Sequence, residues 1–258
     1  MTRPFFSFAT GILITVVSLA ATPAFAAPAA PGGGKNTGWQ DDFNSTTLDK
    51  GRWVVATGGA PGYIAGKHAG YFDPGYVSLE GGFLRLKLTQ QTGISWGSAI
   101  YTKSKFSYGQ YEVTMRMSST ATSPTGPGTS VSGSVSAGFV YVNNSLTEID
   151  MEYAAHLPDT LFITNWHGID SFTGSTAALF GICDLPVAVN YKFVWTASKI
   201  SFYVDGVLKA EHTTNIPNAP ANFWLSHWGS DNPNFGGLAT VGTSRYFYVD
   251  SVKYTPLN

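Results

Sequence analysis

Glu148, Asp150 and Glu152 alternate with Ile149, Met151 and Tyr153, and this alternation leaves the stretch few conformations. In a β-strand successive side chains point to opposite faces, so the acids share one face and the apolar residues the other. A helix would scatter the acids, because neighbours on its surface are three or four positions apart. The stretch is therefore expected to be a strand with an apolar core on one side and an acidic surface on the other. Acids on a solvated strand face are common, and a calcium cluster is a further reading. Calcium ligands, however, converge from a turn and include carbonyls, which a flat strand alone does not supply. Only 16 of the 258 residues are acidic, so three within five positions form a local concentration. Like charges held side by side repel, and at least one carboxyl group should keep its proton to higher pH, a condition that suits acid catalysis. At about 3.3 Å per residue, the Cα atoms of Glu148 and Glu152 stand roughly 13 Å apart. Two long side chains leaning inward over Asp150 could reach the roughly 5 Å that separates the carboxyl groups of a retaining glycosidase.

The ends of the chain and its charge narrow the setting. Arg3, an apolar run from Phe5 to Ala20 and the small-x-small pattern Ala24-Phe25-Ala26 read as a secretory signal peptide over residues 1–26. The apolar run is short for a membrane span and no cationic stop follows it. Residues 27–37, rich in Ala, Pro and Gly, read as a flexible linker, and 38–258 as one domain. Cys183 is the single cysteine, so no intrachain disulfide forms, and its expected role is that of a small buried apolar residue. The net charge is −1 and no basic run occurs, which argues against nucleic acid or an anionic membrane as partner and for an uncharged substrate. Aromatic residues make up 14% of the chain; rings with polar tips suit a cleft that stacks on sugars, although most will be core.

From Trp39 onward, short alternating segments separated by Gly, Pro, Asn and Asp predict an all-β chain without a long amphipathic helix. Phe83 to Leu88 puts three leucines on one face. Phe106 to Met117 alternates Tyr111, Val113, Met115 and Met117 against Glu112, Thr114 and Arg116. Further strands are expected at Leu161 to His167, Tyr191 to Trp195, Ile200 to Val204, Phe223 to Trp228 and Tyr246 to Tyr254, with a hairpin turn at Asp205-Gly206. The Ser, Thr, Gly and Pro run from Ser118 to Ser136 is long for a connection within a domain and is expected near the rim of a cleft. Two facing antiparallel sheets are the natural way to bury so many alternating segments.

Four stretches, in this order, resemble glycoside hydrolase family 16, the laminarinase and lichenase family: Asp41-Asp42-Phe43-Asn44, Phe106 to Glu112, Glu148 to Glu152 in the unbulged Glu-x-Asp-x-Glu form, and Phe202 to Gly206. The resemblance implies a β-jelly-roll sandwich of two curved antiparallel sheets, of the concanavalin A-like kind, with a cleft for a β-glucan. It implies Glu148 as nucleophile, Glu152 as general acid/base and Asp150 as the residue that assists them. It further implies sugar contacts at Asn165, Trp166, His167 and Trp228. Catalysis would need no cofactor. A structural calcium ion would sit on backbone oxygens of Asp42 and Gly82 and the carboxylate of Asp250. The chain departs from the lichenase pattern at Leu146 and Thr147, which replace a Trp-Asp pair, and at Val189, which replaces a histidine. The expected function is that of a secreted, monomeric, retaining endo-β-glucanase cutting β-1,3 or β-1,4 bonds in β-1,3- or mixed-linkage glucans. A transglycosylase with the same site, or a non-catalytic lectin-like module, are the alternatives.

Overall fold

A computed structural model describes residues 37–142, 144–179 and 186–257. The expected signal peptide, nearly all of the expected linker and Cys183 lie outside the described residues. The first strands are β1 (Trp39–Asp41), β2 (Trp53–Val55), β3 (Gly58–Gly59), β4 (Ala69–Phe72), β5 (Val77–Glu80) and β6 (Phe83–Gln91). Next come β7 (Ile94–Phe106), β8 (Gly109–Ser119), β9 (Ser134–Val142), β10 (Thr147–Ala154), β11 (Thr160–Trp166) and β12 (Phe172–Ala178). The last are β13 (Val189–Trp195), β14 (Ile200–Val204), β15 (Val207–His212), β16 (Ala221–Gly229) and β17 (Arg245–Pro256). Among the described residues the only helical element is the 3-10 turn Pro74–Tyr76.

The strands form a jelly-roll sandwich of two curved antiparallel sheets. One sheet runs β12-β11-β10-β9-β16-β7-β2. The other runs β15-β14-β13-β8-β17, after which β6 and β1 lie end to end along the same edge of β17, with β5 outside β6. A short patch, β3-β4-β7, adds the one parallel pairing among the described strands, β4 with β7.

Alternation explains the packing. Leu84, Leu86 and Leu88 of β6, Tyr111, Val113, Met115 and Met117 of β8, and Ile149, Met151 and Tyr153 of β10 all point between the sheets and are buried. Each such side chain contributes about 1.5–3 kcal/mol on burial. A slip of one residue in β10 would exchange Ile149, Met151 and Tyr153 for three carboxylates in the core, so the register is strongly fixed.

Two expectations change. The strand from Phe106 to Met117 is broken at Ser107 and Tyr108, where β7 ends and β8 turns into the other sheet. The loop between β8 and β9 lends no residue to the lining of the cleft described below, and only its end lies beside it, where the N–H of Gly133 donates to the carbonyl of Gly236, next to Phe235, at 2.7 Å. In its first half, the buried Arg116 donates to the carbonyls of Pro124 and Gly126, at 3.1 and 2.7 Å, and Tyr248 Oη donates to the carbonyl of Ala121 at 3.1 Å. These bonds fold the first half of the loop against β8 and β17, because a buried guanidinium needs several acceptors.

Candidate active site

The face of the β10 sheet turned away from the core is the floor of a cleft of about 620 Å³. Its side chains fall in rows set by register. Trp224, Phe139, Asp150 and Thr164 are successive cross-strand neighbours. Ser226, Ala137, Glu152 and Phe162 form the next row, and Asn222, Tyr141, Glu148, Trp166 and Phe172 the row on the other side. Asp150 and Glu152 thus each have one aromatic and one small cross-strand neighbour, Phe139 and Thr164 for the former, Phe162 and Ala137 for the latter.

Glu148, Asp150 and Glu152 all line this cleft. The strand reading of the stretch thus holds, and the three acids emerge on one side. Glu148 Oε2 accepts a hydrogen bond from Ser145 Oγ, and Asp150 Oδ2 accepts one from Thr164 Oγ1 at 2.5 Å, its direct neighbour on β11. Glu148 and Asp150 are buried, and Glu152 is half-buried.

Three of the seven tryptophans, Trp166, Trp224 and Trp228, line the cleft. Trp195 is buried in the core, where its Nε1 donates to the carbonyl of Pro217 at 3.0 Å. Trp224 was not singled out from the sequence, yet it precedes Trp228 by four positions on β16, a spacing that puts both on one face. It stacks on Tyr101 with ring centroids 4.2 Å apart.

Of the expected contact stretch Asn165-Trp166-His167, only Trp166 lines the cleft. Asn165 is turned to the opposite face, because strand neighbours alternate. There its Nδ2 donates to the carbonyls of Thr214 and Asn215, at 3.1 and 2.7 Å, while its Oδ1 meets His212 Nδ1 at 2.6 Å. It ties β11 to the end of β15. His167 lies beyond the strand end, exposed, in a turn closed by its own N–H on the carbonyl of Ser171 at 2.8 Å. These two placements correct the expectation.

The cleft also has a wall that sequence reasoning missed, running from Gly59 to Tyr63 and from Ala69 to Phe72. Tyr63 and Tyr71 stand out of it, nearly half exposed. The wall presses on Trp228 at Gly62, whose φ is +89° and where a Cβ would lie 2.1 Å from the carbonyl oxygen of Gly229. Only glycine allows that approach.

Among the described residues no group of three or more His, Cys, Asp or Glu side chains is arranged to hold a metal ion. Only strand register relates the residues expected around calcium. Asp250 sits where the register of β17 against β8 shifts, opposite the junction at which β6, starting after Gly82, meets β1, ending before Asp42. One carboxylate and two backbone carbonyls are too few ligands for a hard cation without added waters.

Residues 71–244 match the family model of glycosyl hydrolases family 16. The chain belongs to that family. It is a glycoside hydrolase, which sets aside the lectin-like reading. A beta-glucanase of Paenibacillus polymyxa is 29% identical over 181 residues, covering 67% of this chain and 71% of the relative. Among solved structures, a beta-1,3-1,4-glucanase (lichenase) derived from a mouse hindgut metagenome superposes with a TM-score of 0.71 at 21% identity, covering 86% of this chain and 100% of that one. A laminarinase from Flavobacterium sp. UMI-01 gives 0.67 at 21%, covering 84% and 98%. These two likenesses show the shared family 16 fold.

Proposed function

We propose that this glycoside hydrolase is a secreted, retaining endo-β-glucanase acting on β-1,3- or mixed β-1,3/1,4-glucans. The observation that carries this reading is that Glu148, Asp150 and Glu152 share one cleft with three tryptophans. Glu148 attacks the anomeric carbon while Glu152 gives its proton to the leaving oxygen; Glu152 then takes a proton from water, and the water oxygen displaces Glu148. Asp150, bonded to Thr164, keeps its carboxylate between the two. The chemistry of two carboxylates asks for no cofactor.

An uncharged chain fits the lining, which includes three carboxyl groups and no Lys or Arg. The floor crosses four strands, β16, β9, β10 and β11, roughly 14 Å at about 4.8 Å per strand, so more than one sugar ring can lie on it and an internal bond can be cut. Relatives named for beta-glucan and laminarin cleavage support the substrate class, and Trp166, Trp224 and Trp228 are its stacking residues in this reading.

Reducing-end release over laminarin, lichenan, xyloglucan, agarose and carrageenan tests the proposal: the first two are cleaved, and activity on a sulfated galactan alone would overturn it. The first product appears as the β-anomer if the configuration is retained; an α-anomer refutes double displacement. Products longer than the starting oligosaccharide would make the protein a transglycosylase. Secretion from residues 1–26 is tested by the N-terminus of protein recovered outside the cell. A calcium ion at Asp42, Gly82 and Asp250 would act on stability alone, and it is discarded if calcium added to chelator-treated protein leaves Tm unchanged.

A further inference from the structure

The turn that leads into β10 holds two consecutive non-glycine residues in the left-handed region, Asn144 at φ 50° and Ser145 at φ 61°. Such residues are uncommon, and a pair persists only where the surroundings hold it. Here they do. The N–H of Asn144 donates to Tyr141 Oη at 3.1 Å, and the carbonyl of Ser145 accepts from the N–H of Gly168 at 2.7 Å. One step on, Thr147 Oγ1 donates to the carbonyl of Ala219 at 2.7 Å. The turn is thus fixed from both neighbouring strands. Its outcome is that Ser145, 6% exposed, aims its hydroxyl at Oε2 of Glu148, 9% exposed. A glycine would occupy this backbone position without strain but could not make that bond.

We infer that Ser145 is a positioning residue that holds Oε2 of Glu148 and favours release of the Glu148 carboxylate from the glycosyl-enzyme. The inference rests on the reading of Glu148 as nucleophile. In this proposal Oε1 of Glu148 bonds to the anomeric carbon while Oε2 keeps the bond from the serine. In the first step the Oε1–carbon bond forms, the carbon–oxygen bond to the leaving sugar breaks, and the proton of Glu152 goes to the leaving oxygen. Glu148 becomes an ester and Oε2 its neutral carbonyl. In the second step the water oxygen bonds to the carbon, its proton passes to Glu152, and the pair of the Oε1–carbon bond returns to Glu148. Oε2 then shares the full negative charge again. A hydrogen bond to a charged acceptor is roughly twice as strong as one to a neutral acceptor, so the Ser145 bond strengthens as the carboxylate departs. It makes Glu148 a better leaving group and a slightly weaker attacker.

Removing the hydroxyl should therefore slow the second step selectively. The test uses an aryl β-glycoside of a gluco-disaccharide with a nitrophenol leaving group, whose first step is fast. Ser145→Gly and Ser145→Ala are both expected to lower kcat and KM together by about three- to tenfold, keep kcat/KM, and show a burst of nitrophenol before steady state. Ser145→Gly is expected to melt at or above the wild-type temperature and Ser145→Ala below it, since only glycine relieves the left-handed backbone. A matching kinetic change in two variants of different stability assigns the effect to the hydroxyl. The inference is overturned if either variant keeps wild-type kcat and shows no burst, or if kcat/KM falls while KM stays put. Glu148→Gln run alongside separates the two levels. Activity surviving in it defeats the reading of the site, whereas an inactive Glu148→Gln with wild-type behaviour at Ser145 defeats only the role given to the serine.

Discussion

The floor and the wall of the cleft are built on opposite principles. The floor is a run of long antiparallel strands whose side chains are spaced by the pleat, with Glu148, Asp150 and Glu152 locked in register by Ile149, Met151 and Tyr153 beneath them. The wall is a glycine- and proline-bearing segment with a two-residue strand and one parallel pairing, and its tyrosines stand half in solvent. Groups that must meet a reacting atom gain most from the first kind of support, because misplacement by about an ångström costs rate steeply. Groups that grip a polymer of variable outline gain more from the second. In the proposed reading the chemistry and the tryptophan stacking belong to the floor, and the wall adds adaptable contacts to the chain.

Substitutions on either side can break this division. The largest effect is expected at Glu152→Ala, with a loss of about a thousandfold in kcat on polysaccharide and a much smaller loss on a nitrophenyl glycoside, whose leaving group needs no proton. Equal losses on both substrates would remove Glu152 from the acid role. At the contact between wall and floor, Gly62→Ala forces the chain away from Gly229 and Trp228, so kcat/KM on glucan should fall about tenfold, with a lower Tm in calorimetry. On the wall itself, Tyr71→Ala should raise KM about threefold and leave kcat alone, as loss of one stacking ring would do. A drop in kcat at Tyr71 would mean that the wall takes part in the chemistry.

The smallest effect on rate is expected beneath the floor, at His227. Its imidazole lies between Ser118 Oγ and the carbonyl of Leu86, each 2.8 Å away, and burial pushes it down from 6.5 to about 3. Neutral when folded and protonated when unfolded, it withdraws stability as pH falls from about 6.5 towards 3, where the unfolded chain binds the extra proton. His227→Gln should keep kcat within about twofold and lose Tm less steeply over that range; an unchanged slope would exclude His227 as the cause.

The floor was legible in the sequence where a period of two survives, whereas β9, SVSAGFVYV, carries none and its first residues fell within the loop expected at 118–136. Alternation at 83–88, 148–153 and 223–228 gave both the sandwich and the shared face of the three acids. The same rule sends Asn165 to the opposite face from Trp166, so the contiguous stretch that the family resemblance implies cannot all face the cleft. His167 failed because the strand stops one residue earlier. The loop after Met117 was assigned by its length, while its position is set by the buried guanidinium of Arg116, whose carbonyl partners no local pattern announces. The wall was silent because residues 58–63 have no periodicity, and their purpose emerges only where Gly62 meets Gly229, far along the chain.

The lock on β10 also limits what descendants of this sequence can try. Moving either outer carboxylate along the strand while keeping it in the groove takes a jump of two positions, roughly 6.6 Å, because a single step sends it into the interior. Gradual retuning of the gap between the pair is thus closed to simple insertion or deletion, and only a looped-out extra residue, bending the strand locally, offers an intermediate spacing.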